Sequence, residues 1–331
     1  MKEDILLSVV VPVYKVEPYI DKCLTSLVMD DDSLMRQLEV IIINDGTPDN
    51  SAEMSREYVK RYPLTFRQID KENGGHGSAW NVGLKEARGK YLRFLDSDDW
   101  FTNLERLMHD LDSCEADIVF NPYIKEFTYD NNTEYVGTAF PTNVTAIINP
   151  QLWGTSKWKY NNVNFWSITY KTTVLKPLQV LFAEKTMFDD YILTWAPLVY
   201  GRTYASFDYP VYHYLIGRPG QSMSTTQRRK CAESYVKCFA QYELVRLHID
   251  TQVVPIPFLN RIDDSIAGYA NFIFPFMIYL PLKESLTRMK FLWKKYLSNK
   301  QAKSKLLKRY SMMPGFVFYY VEHLRRIINH S

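Results

Sequence analysis

The first hundred residues alternate between two hydrophobic periodicities. Leu6-Leu7-Ser8-Val9-Val10-Val11-Pro12-Val13-Tyr14 is a β-branched, almost continuously apolar run, the pattern of a strand buried on both faces of a parallel sheet. From Glu17 to Val28 the apolar positions Tyr19, Ile20, Cys23, Leu24 and Leu27 recur at helical spacing. A second strand, Leu38 to Ile43, closes on Asn44-Asp45-Gly46, and Asp49 or Ser51 is placed to cap a helix running to about Arg61. Leu64 to Ile69 reads as a third strand. Asn73-Gly74-Gly75 precedes a helix from about Gly77 to Ala87, and a fourth strand, Tyr91 to Leu95, ends at Asp96-Ser97-Asp98-Asp99.

This alternation implies an α/β fold with a mostly parallel sheet, flanked by helices and joined by right-handed crossovers. In such sheets the ligand crevice lies beyond the carboxyl ends of the strands. The polar clusters at 44–46, 71–76 and 96–99 all fall there. From Asp117 the pattern loosens: Ile118 to Phe120 and Tyr123 to Tyr129 read as strands, with a turn at Asn131-Asn132-Thr133. Trp153 to Tyr170 is aromatic without a period, a helix is expected over Asp190 to Leu198, and beyond Ser224 the chain becomes helical. Residues 1–223 are therefore expected to form one α/β domain and residues 224–331 a helical C-terminal extension.

Composition adds little to this except through charge. With 46% hydrophobic and 23% charged residues the chain has the make-up of a globular protein, and its 15% aromatic content suits sugar stacking and core packing equally. Cys23, Cys114, Cys231 and Cys238 show no CxxC spacing, which argues against a zinc site and suits a reducing cytoplasm. Met1-Lys2-Glu3-Asp4 runs directly into the first strand without the pattern of a signal peptide. The longest apolar stretch, Ile266 to Leu282, is broken by Asn271, Pro275 and Pro281 and falls short of a spanning helix. From Lys283 onward twelve basic residues stand against Glu284 and Glu322, a net +10, which leaves −7 for the rest of a chain whose total is +3. Val317, Tyr320, Val321, Leu324, Ile327 and Ile328 recur at helical spacing beside Arg325 and Arg326. Such a tail is expected either to dock on the anionic inner face of a membrane or to pack on the body with a solvated basic face. No recognition motif for nucleic acid accompanies the charge.

The candidate chemistry centres on Asp96-Ser97-Asp98-Asp99. Three carboxylates at one strand end repel each other unless a cation neutralises them, and hard oxygen ligands select Mg2+ or Mn2+. The alternative is a turn whose aspartates cap the next helix at Thr102 or Asn103. If a divalent ion is the answer, the cluster should not be turned into solvent or plugged by a lysine or arginine.

The order and spacing of four stretches resemble a family 2 glycosyltransferase with a GT-A fold. They are Val9 to Tyr14 with Tyr19-Ile20 and Leu24; Ile41-Ile42-Ile43-Asn44-Asp45-Gly46-Thr47; Asn73-Gly74-Gly75 with Asn81 and Gly83-Leu84; and Phe94-Leu95-Asp96-Ser97-Asp98-Asp99-Trp100. The resemblance implies that 1–99 is the nucleotide-binding half and 100–223 the acceptor half of a catalytic domain. It places Pro12, Tyr14 and Glu17 in the first nucleotide-binding loop, Asp45 at the base, and Lys71 near the nucleotide. Asn73, Gly74 and Ser97 join the donor site, Asp96 contacts ribose or sugar, and Asp98 holds the metal that bridges the diphosphate. Two departures from the family pattern are Asn44, where an aspartate is usual, and Ala79-Trp80, where a small residue and Arg are frequent.

A base must take the proton of the attacking hydroxyl. The family's acidic pair is matched by Asp189-Asp190 within Phe188-Asp189-Asp190-Tyr191, with Asp190 as the base and Asp189 the alternative; an N-cap role is the bland reading. Downstream, Tyr212-His213-Tyr214 and Arg218 resemble a late family segment near the diphosphate. There His213 would complete the metal site, with His76 beside the glycines ranked after it, and Arg218 would steady the leaving group. The implied reaction is an inverting hexose transfer from a nucleotide-diphosphate sugar, UDP-hexose first, to a cell-surface glycan or lipid-linked oligosaccharide. A silent carbohydrate-binding protein of the same fold and a nucleotidylyltransferase are the alternatives. A homodimer is compatible with the sequence.

Overall fold

The structure, a computed structural model, describes residues 4–138, 140–151, 164–178, 181–186, 189–218 and 228–292. Phe188, most of the aromatic stretch after Trp153, and the basic tail from Trp293 onward lie outside the described residues.

Strands β1 (Leu7–Val13), β2 (Leu38–Asn44), β3 (Phe66–Asp70) and β4 (Tyr91–Phe94) run parallel in the order β3-β2-β1-β4. Helices α1 (Ile20–Thr25) and α2 (Asp32–Gln37) lie between β1 and β2, α3 (Ser51–Arg61) between β2 and β3, and α4 (His76–Glu86) between β3 and β4. The chain then makes β5 (Trp100–Phe101), α5 (Leu104–Asp112), β6 (Ile118–Phe120), β7 (Tyr123–Phe127), β8 (Thr133–Val136) and β9 (Val144–Ile147). It continues through β10 (Ile168–Lys171), α6 (Thr172–Leu175), β11 (Thr203–Ser206) and β12 (Tyr212–Ile216). Strands β10, β6, β11 and β9 extend the large sheet beyond β4 to eight strands, while β5-β12-β7-β8 form a second sheet of four.

The sheet is more mixed than its first half predicts. β10 is antiparallel to both β4 and β6, and β9 is antiparallel to β11. Those pairings join residues distant in sequence, which local periodicity cannot register. The strands alternate strictly between two cores: Val10, Ile41 and Ile43 face one, and Val9, Val11, Val40 and Ile42 the other. Both faces are thereby covered, which is why the strands read as continuous apolar runs.

Helices α7 (Arg228–Leu247), α8 (Ile256–Ile273) and α9 (Leu282–Leu292) complete the described chain. Tyr242, Ile262, Tyr269 and Met289 share one buried core with Trp80, Phe94 and Trp195 from the α/β part, so the C-terminal helices are packed on the sheet. Among the described residues no helix is long and apolar enough to cross a membrane. The helix expected over Asp190 to Leu198 is instead two 3-10 turns, Asp190–Thr194 and Ala196–Val199, with Pro197 in the second. Proline lacks an N–H and clashes with the preceding turn, so a continuous α-helix is broken there.

At the end of the sheet away from the polar loops, Glu39 is buried in β2. It accepts from Ser8 Oγ at 2.6 Å, Arg88 N at 2.9 Å, Arg88 Nε at 2.6 Å and Arg67 Nε at 3.1 Å. Burial pushes its carboxyl pKa up, but the hydrogen bonds from Ser8 and Arg88 and the charge of Arg67 outweigh it, and the pKa is lowered. Its stabilisation is thus present above the unfolded carboxyl pKa and is lost as pH falls through the lower folded one. Glu39→Gln is expected to cost about 1–3 kcal/mol in urea unfolding at pH 7, toward the lower end because both arginines reach solvent. The variant should also show a shallower acid loss of stability than the parent.

Candidate active site

The order of the parallel strands reverses at β1, which has β2 on one side and β4 on the other. Loops leaving the carboxyl ends of such neighbours diverge and leave a crevice. A cleft of about 580 Å³ lies there, lined by Pro12, Tyr14, Asp45, Asn73, Gly75, His76, Asp96, Ser97, Asp98, Asp189, Asp190 and Arg218, together with the aromatic side chains of Phe165, Trp166 and Tyr214. That volume is within the range of small-molecule sites. A hollow of about 620 Å³ between α7 and α9 is somewhat larger but holds neither the glycine loop nor the aspartate cluster.

The first wall is the loop after β3. Asp45 is buried, and both its oxygens are engaged: Oδ1 accepts from Lys71 Nζ at 2.6 Å and Gly74 N at 2.9 Å, and Oδ2 from Gly75 N at 2.8 Å. Asn73 Nδ2 adds a bond to the Asp45 carbonyl at 2.9 Å. Asp45 and Lys71 therefore brace the glycine loop, and Gly75 takes a φ of 84°, where a side chain would be strained. Glu17 is turned away from the cleft. Its carboxylate accepts from the backbone N and Nδ2 of Asn50, at 3.1 and 2.9 Å, and so caps the start of α3.

The second wall is the aspartate cluster. Carboxylate oxygens of Asp96, Asp98 and Asp99 lie within 4.8 Å of one another. Asp99 points inward, accepting from Tyr212 Oη at 2.6 Å and Leu215 N at 2.7 Å. Burial and the charges of Asp98 and Asp96 push its pKa well above the carboxylate range. Asp98 and Asp96 face the cleft. Burial and the charge of Asp96 also raise the Asp98 pKa, against the opposing pull of Arg218. Arg218 Nε donates directly to Asp98, so an arginine does lie where the cluster was expected to be open to a cation. The residue involved is the one the sequence places at the diphosphate. Asp98 and Asp96 are hard-oxygen donors of the kind that suit Mg2+ or Mn2+, but the Arg218–Asp98 pair is the plug that, on the sequence criterion, counts against a resident ion.

The third wall carries Asp189 and Asp190. The segment before them is strapped to α4: Asn81 Nδ2 donates to Phe182 O, Leu181 N and Phe182 N donate to Asn81 Oδ1, all at 2.9 Å, and Lys185 N donates to Gly74 O at 2.7 Å. A side chain at Gly77 would collide with Ala183 O and the Asp189 carboxylate. Asp189 is only 2% exposed. His76 Nδ1 lies 3.1 Å from Asp189 Oδ1, and Nε2 lies 2.9 Å from Asp96 Oδ1. Burial lowers the His76 pKa, but the two carboxylates more than reverse this and raise it well above the ordinary imidazole value. Asp190 is pushed up to about 6, first by burial and then by the charge of Asp189.

His213 does not join the aspartates. Side chains alternate along a strand, so Tyr212 and Tyr214 share the cleft face of β12 and His213 points to the other. There it hydrogen-bonds Glu126 Oε1 at 2.7 Å and stacks on Trp100, with ring centroids 5.1 Å apart. Trp166, not singled out in the sequence, stacks at 4.7 Å on Tyr214 of the Tyr212-His213-Tyr214 segment beside the cleft, and buried Arg93 donates to the Trp166 carbonyl at 2.6 Å. Trp80, at the position where the family often has Arg, is buried among His76, Phe94, Phe165 and Phe182.

Residues 8–172 match the family described as Glycosyl transferase family 2, and the chain belongs to that family. It is 34% identical over 192 residues to the uncharacterized glycosyltransferase EpsJ of Bacillus subtilis, covering 55% of this chain and 53% of EpsJ, so it spans about half of that relative's length. Its fold resembles that of S. aureus TarS 1–349, solved with UDP-GlcNAc, with a TM-score of 0.67 at 20% identity over 97% of this chain and 92% of the other. A mannosyltransferase of Pyrobaculum calidifontis, solved with GDP-Man and Mn2+, gives a TM-score of 0.52 at 15% identity over 98% and 88%. The architecture is thus the GT-A type expected from the motifs. Because His213 faces Glu126, His213→Gln is expected to leave Mn2+ affinity unchanged, read by electron paramagnetic resonance of the bound and free ion.

Proposed function

We propose that the protein transfers a hexose from a nucleoside-diphosphate sugar, UDP-hexose first, to a hydroxyl of a cell-surface glycan or lipid-linked oligosaccharide, with inversion. The observation that carries this reading is that the aspartate–arginine wall and Asp190 open into one cleft, with Asp190 poised at about 6. The family membership and the nucleotide-sugar complexes of TarS and the mannosyltransferase support it.

In this reading Tyr14 and Pro12 border the nucleotide, and the Asn73–Gly75 loop, held by Asp45 and Lys71, approaches it with backbone. Asp96 and Ser97 contact the ribose or the sugar. Asp98 would hold a divalent ion, Mn2+ or Mg2+, which supplies charge neutralisation for the departing diphosphate. Arg218 exchanges Asp98 for diphosphate oxygens as the donor seats and steadies the same leaving group. The acceptor oxygen attacks the anomeric carbon from the opposite side, its proton passes to Asp190, and the bond to the diphosphate breaks, releasing the nucleoside diphosphate. Asp189 is held by His76 and is less able to take that proton. The Trp166–Tyr214 stack offers an aromatic border to the acceptor.

A base works only when unprotonated, so kcat/KM should fall as pH drops through about 6, the Asp190 value. Asp190→Asn is expected to lower kcat by about 10²- to 10⁴-fold with donor KM little changed, measured as nucleoside diphosphate released in the presence of acceptor. Asp98→Ala should abolish the metal-dependent turnover while the thermal melt persists. Full activity in that variant, or in the parent with chelator, would refute the metal role.

A further inference from the structure

Arg93 stands on β4, and its side chain is fully buried. Strand alternation turns Leu92 and Phe94 toward one core and Arg93 toward the other, where the Phe101 ring of β5 lies 5.2 Å from the guanidinium carbon. The groups that hold it are neutral. Nη1 donates to Thr169 Oγ1 at 2.7 Å and to Asn121 Oδ1 at 3.3 Å, and Nη2 donates to the Trp166 carbonyl at 2.6 Å. Among the described residues no carboxylate pairs with it, and its Nε is buried without a hydrogen-bond partner. Burial lowers its pKa to about 10, which leaves it charged at neutral pH. A buried cation without an acid is costly, and a packed apolar side chain of similar volume would serve stability as well or better. What the guanidinium supplies is geometry, a rigid planar fork that fixes two directions at once.

One of those directions ends at Trp166, in the 3-10 turn Phe165–Ser167 that leads into β10. The indole Nε1 is buried without a hydrogen-bond partner among the described residues, so packing and the backbone set the ring. The backbone is where Arg93 acts. The ring itself lies nearly parallel to Tyr214, at an interplanar angle of 19°, and both residues line the cleft. We propose that Arg93 is a positioning residue for the acceptor: by tying the Trp166 carbonyl to β4 and β10 it fixes the Trp166 ring on Tyr214, the border against which an acceptor sugar packs. The inference rests on the reading of that aromatic pair as the acceptor border. Asn121 strengthens the tie, because its backbone N also donates to Ser167 O at 2.9 Å, next to Trp166. A lysine at 93 would keep the charge but could not reach Thr169 and Trp166 with one planar group.

The test labels the full chain with fluorotryptophan and reads fluorine NMR with UDP present, the Trp166 signal being the one lost in Trp166→Phe. In Arg93→Lys the Trp166 signal should shift or broaden while that of Trp195, buried in the other core, stays in place. General loosening of the fold would move both. Methyl glycosides of glucose, galactose and N-acetylglucosamine serve as acceptor probes and should shift the parent Trp166 signal. Arg93→Lys should bind them about threefold to tenfold more weakly, with UDP affinity by calorimetry changed less than about twofold. A Trp166 signal at the parent position in folded Arg93→Lys, or equal losses of UDP and glycoside binding, overturns the positioning role. Where Arg93→Lys does not fold, Thr169→Val takes one acceptor from the fork and should move the Trp166 signal by a smaller amount; no movement there overturns the proposal equally. If Arg93→Lys moves the signal but no glycoside does so in the parent, the acceptor border is the reading that fails, and the acceptor role of Arg93 is overturned with it.

Discussion

Negative charge concentrated at the mouth of the sheet is the constraint around which the rest of the molecule is arranged. Asp96, Asp98 and Asp99 follow one strand, Asp189 and Asp190 come from a segment nearly a hundred residues away, and all five meet at one cleft or just beneath it. Four of them are settled by side chains or amides from elsewhere in the chain. Asp99 is held by the Tyr212 hydroxyl and a β12 amide, Asp98 by Arg218, and Asp96 and Asp189 by His76 at the head of α4. Asp190 keeps its place at the cleft with its pKa raised. Compensating these charges joins the large sheet, the small sheet and the α4 loop into one electrostatic unit.

How far this was legible in the sequence depends on the range of the interaction. β1, β2 and β4 are covered on both faces, so their apolar runs announce them, and the polar clusters at their carboxyl ends mark the cleft. Helix α2 was not visible because Asp31-Asp32-Ser33 reads as a polar loop. In the structure Asp31 Oδ1 accepts from Ser33 N and Leu34 N and starts a helix that buries only Leu34 and Met35. The antiparallel strands β9 and β10 escaped because their partners are remote.

The site shows the same division. The glycine loop, the Asp96–Asp99 turn and the Asp189-Asp190 pair are contiguous motifs and were readable as such. The sequence does not reveal the strand around His213; along β12, alternation alone turns this side chain away from the aspartates, toward Trp100 and Glu126. The place of His76 is hidden for a related reason. A single histidine carries no spacing signal, and the partner that gives it meaning, Asp189, is 113 positions away. Glu17 sits in the right loop, but a loop's sequence does not state which way a carboxylate turns, and Asn50 claims it.

The small sheet meets the cleft through two neighbouring strands, β5, which continues directly from the Asp96–Asp99 turn, and β12, which pairs with it. β12 carries the hydroxyl that holds Asp99, the ring beside Trp166, and the approach to Arg218. β8 lies two strands further out, at the rim, with Thr133, Glu134 and Tyr135 in solvent. The hairpin of β7 and β8 is therefore a natural graft point. Loops can be exchanged at its tip, residues 128–132, while β12, which holds Asp99, is inherited unchanged.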